Sequence, residues 1–298
     1  MRSAPPNRMD RIHGGSLTDR LHLQFFTAAY HILTPARWRH PNLCNSYWRF
    51  YCNDQEGALL EVTEPEKDSR LRFPLLAGCP CFIPAGVRFS TRCEAPEVGH
   101  LYAHFDVAGL PGLLLRELFG GPVYLPESES LRARTAELRE VMRTRGEQAA
   151  KEDLALQCRW KAALYEAMAL TLEALPAAGR ERRFARAAAL EPVLPALERI
   201  EHSLGEPLSN TELAAACCWS EDHFIRRFKE CVGESPATYL RNRRIEAAEQ
   251  RLLFSGDSIE QIAEECGFDN RFYFSRVFTQ HTGIAPGAYR KSARADSA

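Results

Sequence analysis

One pattern is written twice near the C-terminus, and it constrains the fold more than any other feature of the chain. Phe224, Arg226, Phe228, Gly233, Pro236 and Tyr239 recur fifty residues later as Phe274, Arg276, Phe278, Gly283, Pro286 and Tyr289. Upstream, Leu213-Ala214-x-x-Cys217-x-Trp219 recurs as Ile262-Ala263-x-x-Cys266-Gly267-Phe268, one residue closer in register. Each copy reads as a short helix, a tight turn and a second helix. That shape can set a helix into a DNA major groove. Two copies imply one all-helical domain with two such probes.

The sequence of each copy carries its own punctuation. Ser209-Asn-Thr-Glu212 and Ser258-Ile-Glu-Gln261 are capping boxes, in which a hydroxyl and a side chain three residues on satisfy each other's backbone N–H groups. Gly267 suits the left-handed residue of the second turn, and Cys218 stands there in the first, where a non-glycine is either strained or makes a different turn. Ser220 and Asp269 are expected to cap the second helix of each copy. Phenylalanines at i and i+4 face those helices inward. The opposite faces carry Glu221, Asp222, Ile225, Arg226 and Lys229 in the first copy, and Asn270, Arg271, Phe272, Ser275 and Arg276 in the second. Arginine pairs bidentately with guanine, and an apolar side chain such as Phe272 can meet a thymine methyl. From Ser235-Pro236 to Phe254 neither glycine nor a second proline interrupts a connecting helix. At 1.5 Å per residue it would measure about 28 Å, near one turn of B-DNA. Arg241, Arg243 and Arg244 at its start are candidate phosphate contacts.

Charge does not advertise this role. Residues 190–298 hold 13 Lys and Arg against 17 Asp and Glu, so any DNA contact must use local basic patches rather than bulk charge.

The rest of the chain has a different grain. At 298 residues there is room for two domains. Up to about residue 126 the segments 21–33, 46–52, 57–62, 70–76 and 98–107 are rich in aromatic and branched residues and read as strands, with a short helix at 109–119. In Gly99–Val107, His100, Tyr102, His104 and Asp106 alternate with apolar residues and share one face. From 130 to 175 helical stripes take over: Leu131, Leu138 and Val141-Met142, then Leu154, Cys158, Ala162, Tyr165 and Met168-Ala169, with Gly146 at the expected break. Residues 179–189 read as a basic linker, open either to a plain tether or to a phosphate contact. The polar start lacks a signal peptide's apolar centre, no apolar run reaches membrane-spanning length, and the ten cysteines do not read as a disulfide framework. A cytoplasmic protein with no membrane partner is the expectation.

The C-terminal residues resemble the AraC/XylS family of bacterial transcription regulators. The resemblance runs from Arg244-Ile245-x-x-Ala248 through Ile259-x-x-Ile262-Ala263-x-x-Cys266-Gly267-Phe268 and Phe274-Ser275-Arg276-x-Phe278 to Gly283-x-x-Pro286-x-x-Tyr289-Arg290, covering roughly 190–291. It implies that Arg226 and Arg276 match principal base-contacting positions, with Asp222, Ile225, Arg271 and Phe272 at neighbouring ones. Cys218 departs from the usual glycine, and Phe272 from a commoner small polar residue. The N-terminal part resembles the cupin-type sensor barrel of many family members, through Phe82-Ile83-Pro84-Ala85-Gly86 and the His104-Phe105-Asp106 strand. Metal-binding cupins place a histidine where Phe89 stands, so the resemblance implies a metal-free ligand pocket.

Trp38-Arg39-His40 and Trp48-Arg49, with His104, are the candidate effector residues, because aromatic faces stack on sugar rings and arginine bonds hydroxyls. The alternative is that Trp48 and Tyr51 are core and Arg49 is surface. His100 and His104 with Asp106 could ligate a metal, and Cys79-Pro-Cys81 with Cys93 could too, but hydrogen-bonded wall residues and structural thiols are the simpler readings. No phosphate loop, nucleophile elbow or paired acid and base stands out.

The expected architecture is α+β with two domains. Residues 1–178 would be a cupin-like effector-binding and dimerisation domain (barrel 20–126, helices 130–175), followed by the linker 179–189 and a DNA-binding domain at 190–292 with two helix-turn-helix motifs. The expected protein is a non-enzymatic, dimeric regulator without cofactor or catalytic residues. Its partners would be double-stranded DNA, a small effector of sugar type and RNA polymerase. Two alternatives are a metal-dependent cupin enzyme with a DNA-binding tail, and a constitutive regulator whose barrel only dimerises.

Overall fold

Alternation in the N-terminal third becomes two antiparallel sheets in the computed structural model, which describes residues 21–64, 69–174 and 177–296. The strands are β1 (His22–Leu33), β2 (Trp48–Asn53), β3 (Ala58–Glu64), β4 (Ser69–Leu75), β5 (Cys81–Ile83), β6 (Phe89–Cys93), β7 (Val98–Ala108) and β8 (Val123–Tyr124). One sheet has the order β1-β7-β2-β5-β8 and the other β4-β3-β6. The short strands β5, β6 and β8 carry too few residues for a periodic signal and escape the sequence reading. The two sheets face each other across a core that includes Tyr51, Leu60, Phe73, Phe89 and Tyr102, as two separate sheets rather than one closed barrel.

The five-stranded sheet is buried on both faces, and strand alternation decides what each face holds. Trp48 and Phe50 point away from the facing sheet. Trp48 meets Phe82, Phe105 and Phe119, and Phe50 meets Phe82 and Trp160. Helices cover this outer face: α1 (Gly112–Phe119), α2 (Glu129–Glu152) and α3 (Leu154–Ala174). Leu131, Leu138 and Met142 of α2 are buried as their stripe requires. Gly146, with φ 70° and ψ −178°, interrupts the helical backbone of α2 where the break was expected. A second break falls at Asp153, whose carboxylate accepts from the Leu156 N–H at 3.0 Å and starts α3. The stretch expected as a linker is helical, α4 (Ala177–Ala189).

The chain divides into two compact units, one of His22–Ala108 with Leu115–Phe184, the other of the residues from Ala185 on with Gly109–Leu114. The second unit is helical. After a short 3-10 turn it contains α5 (Leu194–His202), α6 (Asn210–Ala216), α7 (Glu221–Val232), α8 (Pro236–Phe254), α9 (Ile259–Glu265), α10 (Arg271–Thr282) and α11 (Pro286–Asp296). The connecting helix α8 spans the 19 residues that its sequence allows.

Candidate nucleic-acid interface

Both capping boxes form. Ser209 accepts from the Glu212 N–H and Glu212 reaches back to the Ser209 N–H; Ser258 and Gln261 repeat the exchange. Helices α6 and α9 then run for two turns and stop at a left-handed residue, Cys218 at φ 57° and Gly267 at φ 77°. The first turn therefore keeps the geometry of the second although it lacks glycine, which costs it about 1–2 kcal/mol of backbone strain. Helices α7 and α10 follow, each twelve residues long, and each ends on a left-handed glycine, Gly233 or Gly283.

The apolar spacing anchors these two helices. Phe224, Phe228, Phe274 and Phe278 are wholly buried. Phe228 packs edge-on to Tyr239, and Phe278 to Tyr289, so the same joint is built in both copies. With those residues inside, the outward faces are settled. Asp222, Arg226 and Lys229 are exposed on α7 with Ile225 half-buried, and Arg271, Phe272 and Arg276 are exposed on α10 with Ser275 half-buried. Phe272 is 80% exposed, so a large apolar ring stands in water on the face opposite the core. Arg226 lies 3.2 Å from the His223 ring nitrogen, and Arg276 lies over the Tyr273 ring at 5.4 Å. Among the described residues neither arginine is paired with a carboxylate, so both guanidinium forks can turn to a base edge.

Four expectations change. Asn270, not Asp269, caps α10: its side-chain oxygen accepts from the Phe272 and Tyr273 N–H groups at 2.7 and 3.2 Å. Ser220 stands at the N-cap of α7 without a side-chain bond. Arg243 is not a phosphate contact. Its Nε and Nη2 donate to Glu201 at 2.7 and 2.8 Å, its Nη1 meets Glu246, and its side chain is only 16% exposed. The two carboxylates hold it well above the ordinary arginine range against the cost of burial. Arg244 also turns inward, onto backbone carbonyls. Arg241 is exposed and lines a cleft of about 440 Å³ together with Pro236, Leu240, Asn270 and Tyr273. A 3.6-residue period cannot rank three arginines packed into four positions, and only the location of Glu201 separates them.

In the sheet unit the candidate effector residues separate by face. Trp38, Arg49 and His104 lie on the side that looks toward the second sheet. Trp48 does not; one residue out of phase with Arg49, it belongs to the outer aromatic layer described above. Arg39 is exposed, and His40 is half-buried with its N–H donated to Thr91 Oγ1 at 3.0 Å. Arg49 is opposite His104 in register, donates to the Tyr47 hydroxyl at 3.1 Å, and stacks over the rings of Tyr47 and Phe89 at 4.4 and 5.0 Å. Trp38 packs against Tyr51 and His100. The sequence reading missed His31, which lies opposite His100 and stacks on Tyr102. Its alternation with Ala29 on β1 could have flagged it.

Burial sets the protonation of this face. It pushes His100 down to about 3, with His31 nearby adding to the effect, and holds His104 well below its ordinary value, with Arg49 adding to that. The imidazoles are neutral hydrogen-bonding groups beside one fixed cation. Among the described residues no group of three or more His, Cys, Asp or Glu is placed to hold a metal ion, and no helix is long and apolar enough to cross a membrane.

Residues 213–292 match the helix-turn-helix domain family. The chain is 38% identical over 82 residues to the MmsAB operon regulatory protein of Pseudomonas aeruginosa, which is 28% of this chain and 27% of that protein. The chain thus spans little more than a quarter of that relative's length. It is 30% identical to a solved transcriptional regulator with an AraC-type DNA-binding domain from Chromobacterium violaceum, covering 36% of this chain and 96% of that one, with a TM-score of 0.35. Unsaturated fatty acid-bound ToxT of Vibrio cholerae is similar over 91% of this chain and 94% of its own at a TM-score of 0.51 and 11% identity, a likeness of fold alone. Duplicated capping boxes, paired helix-turn-helix units and the matched residues agree: residues 213–292 form a helix-turn-helix domain of the AraC type.

Proposed function

We propose that this chain is a sequence-specific transcription regulator whose helices α7 and α10 enter two successive major grooves. The observation that supports this most is the repetition of one joint. Each helix is anchored by two buried phenylalanines and presents an arginine, Arg226 or Arg276, at the same helical position. Asp222, Ile225, Lys229, Arg271, Phe272 and Ser275 supply the surrounding reading surface, and Arg241 reaches a phosphate between the two grooves. Footprinting on a duplex selected by the protein from a randomised pool tests this. Two protected patches one helical turn apart are expected; a single short patch per protomer rejects the reading.

The sheet unit binds a small effector on the face carrying Trp38, Tyr47, Arg49 and His104. Aromatic walls and hydroxyl-bonding groups suit a sugar. The cation of Arg49 between two ring faces also suits a carboxylate, and the ToxT structure that shares this fold is one with a fatty acid bound. A thermal-shift screen of the full chain over monosaccharides and fatty acids separates the two; Arg49→Gln should abolish whichever shift appears. Dimerisation is assigned to α3. Leu154 is 73% exposed, and Cys158, Ala162, Tyr165 and Ala169 are exposed on the same side, whereas Met168 turns into the core. A Leu154→Glu, Ala162→Glu double variant should sediment as a monomer. Effector binding changes promoter occupancy or polymerase recruitment by favouring one arrangement of the dimer.

A further inference from the structure

The two copies of the helix-turn-helix meet at a joint that the repeat itself does not explain. Arg244, inside the connecting helix α8, donates Nε to the Leu204 carbonyl at 2.8 Å and Nη2 to the Glu206 carbonyl at 2.6 Å. Those carbonyls lie in the loop that leads into the first copy. Its Nη1 donates to the Gly267 carbonyl at 2.9 Å, in the turn of the second copy. One guanidinium therefore holds backbone from both copies. The same two segments also touch directly. A Cβ on Gly205 would lie 2.6 Å from the Glu265 carbonyl oxygen, and a Cβ on Gly267 would lie 2.6 Å from the Leu204 carbonyl oxygen. Backbone meets backbone here with no room for a side chain.

Beside this contact the copies stand apart. The cleft of about 440 Å³ is lined by Leu208 and Leu213 of the first copy, Leu240 and Arg244 of α8, and Phe268 and Tyr273 of the second copy. Across that gap the two copies meet through no filled side-chain layer, which leaves the connecting helix and the backbone contact beside it to relate α10 to α7. Arg290 serves a local purpose by contrast. It donates to the Leu252 and Asp257 carbonyls, at the end of α8 and just before the second copy.

We propose that Arg244, with Gly205 and Gly267, is a positioning clasp that sets the mutual rotation of the two recognition helices, and so the spacing of the two half-sites the protein accepts. The inference rests on the two-groove reading given above. Arg244 does not touch DNA. It acts by keeping one arrangement of α7 and α10 populated. A ligand that needs a fractionally populated arrangement binds more weakly by that fraction, so loosening the clasp to one competent arrangement in ten would cost the bipartite site about tenfold.

The test uses the full chain and a bipartite duplex selected by the wild-type protein from a randomised pool. It adds duplexes whose half-sites are moved one base pair closer or further apart, and a duplex carrying one half-site only. Arg244→Lys, which keeps the charge but not the three-way fork, and Gly205→Ala, which forces the two segments apart, are compared with wild type. Both variants should lose about tenfold or more on the bipartite duplex, discriminate less among spacings, and keep wild-type affinity for the single half-site. The salt slope of Arg244→Lys should stay at the wild-type value. An equal loss on the single half-site would overturn the proposal, because the effect would then be general misfolding of one copy. Unchanged spacing discrimination in both variants would also overturn it. A wild-type protein that prefers the bipartite duplex no more than the half-site would remove the two-groove reading itself, and the clasp with it.

Discussion

The two helix-turn-helix copies share a scaffold and differ in almost everything they show to the outside. Buried Phe224 and Phe228 correspond to buried Phe274 and Phe278, and both pairs lean on a tyrosine from the next helix. The outward faces diverge. In the first copy Arg226 shares its exposed face with Glu221, Asp222 and Lys229; in the second Arg276 shares its own with Arg271 and the ring of Phe272. Their turns differ too, with a cysteine held left-handed in one and a glycine in the other. Duplication thus preserved what packing demands and left free what a base sequence would select. A closely packed interior tolerates few changes of volume, whereas an exposed position tolerates many.

The largest expected effect separates the connecting rod from both copies. Arg243→Ala leaves Glu201 and Glu246 facing each other in a mostly buried site and should destabilise the helical unit by about 3 kcal/mol. Denaturant titration measures this, and the salt dependence of DNA binding by the folded fraction should be unchanged; a slope lower by about one would return Arg243 to the phosphate backbone. Next, Gly267→Ala should cost about 2 kcal/mol or more, since a side chain there is both strained and in collision. Arg276→Ala and Arg226→Ala should each flatten preference at one base pair, by about 1–3 kcal/mol, on opposite half-sites. Equal weakening on every sequence would make the residue a phosphate contact.

A smaller effect distinguishes the sheet unit from the duplicated domain. His100 and His104 are held neutral by burial, whereas the unfolded chain takes up protons near pH 6.5. Stability of the sheet unit should therefore fall as pH drops below about 6.5, by up to about 1.4 kcal/mol per pH unit for each histidine. His100→Gln should shallow that slope in urea titrations at pH 7, 6 and 5. A slope identical to wild type would mean the acid limb belongs to other groups. Smallest is Cys218→Gly, expected to stabilise the first copy by about 1 kcal/mol by relieving its left-handed strain, a few degrees in melting temperature.

Much of this was legible in the chain before any coordinates. Both capping boxes, the bounds of α8, the inward phenylalanines and the long strands β1, β2 and β7 follow from local chemistry, because caps, proline positions and periodicity act within a few residues. At Cys218 the sequence left two outcomes open, a strained left-handed residue or a different turn, and the structure has the first. The short strands β5, β6 and β8 were not, since two to five residues do not complete a pattern. Nor was the face on which Trp48 would lie relative to Arg49's partners, because alternation says only that neighbours point apart, not which side holds the effector.

The sequence alone determined that there would be two recognition helices, how each is capped and anchored, and how long a helix joins them, since hydrogen-bond satisfaction and 3.6-residue periodicity are local. Tertiary structure decided the fates of three neighbouring arginines. Arg241 remains in water, Arg243 is enclosed by carboxylates from α5 and α8, and Arg244 binds carbonyls some 23 to 40 residues away. A guanidinium goes to whichever acceptors the fold brings within 3 Å of it, and only the folded chain puts Glu201, Leu204 and Gly267 there.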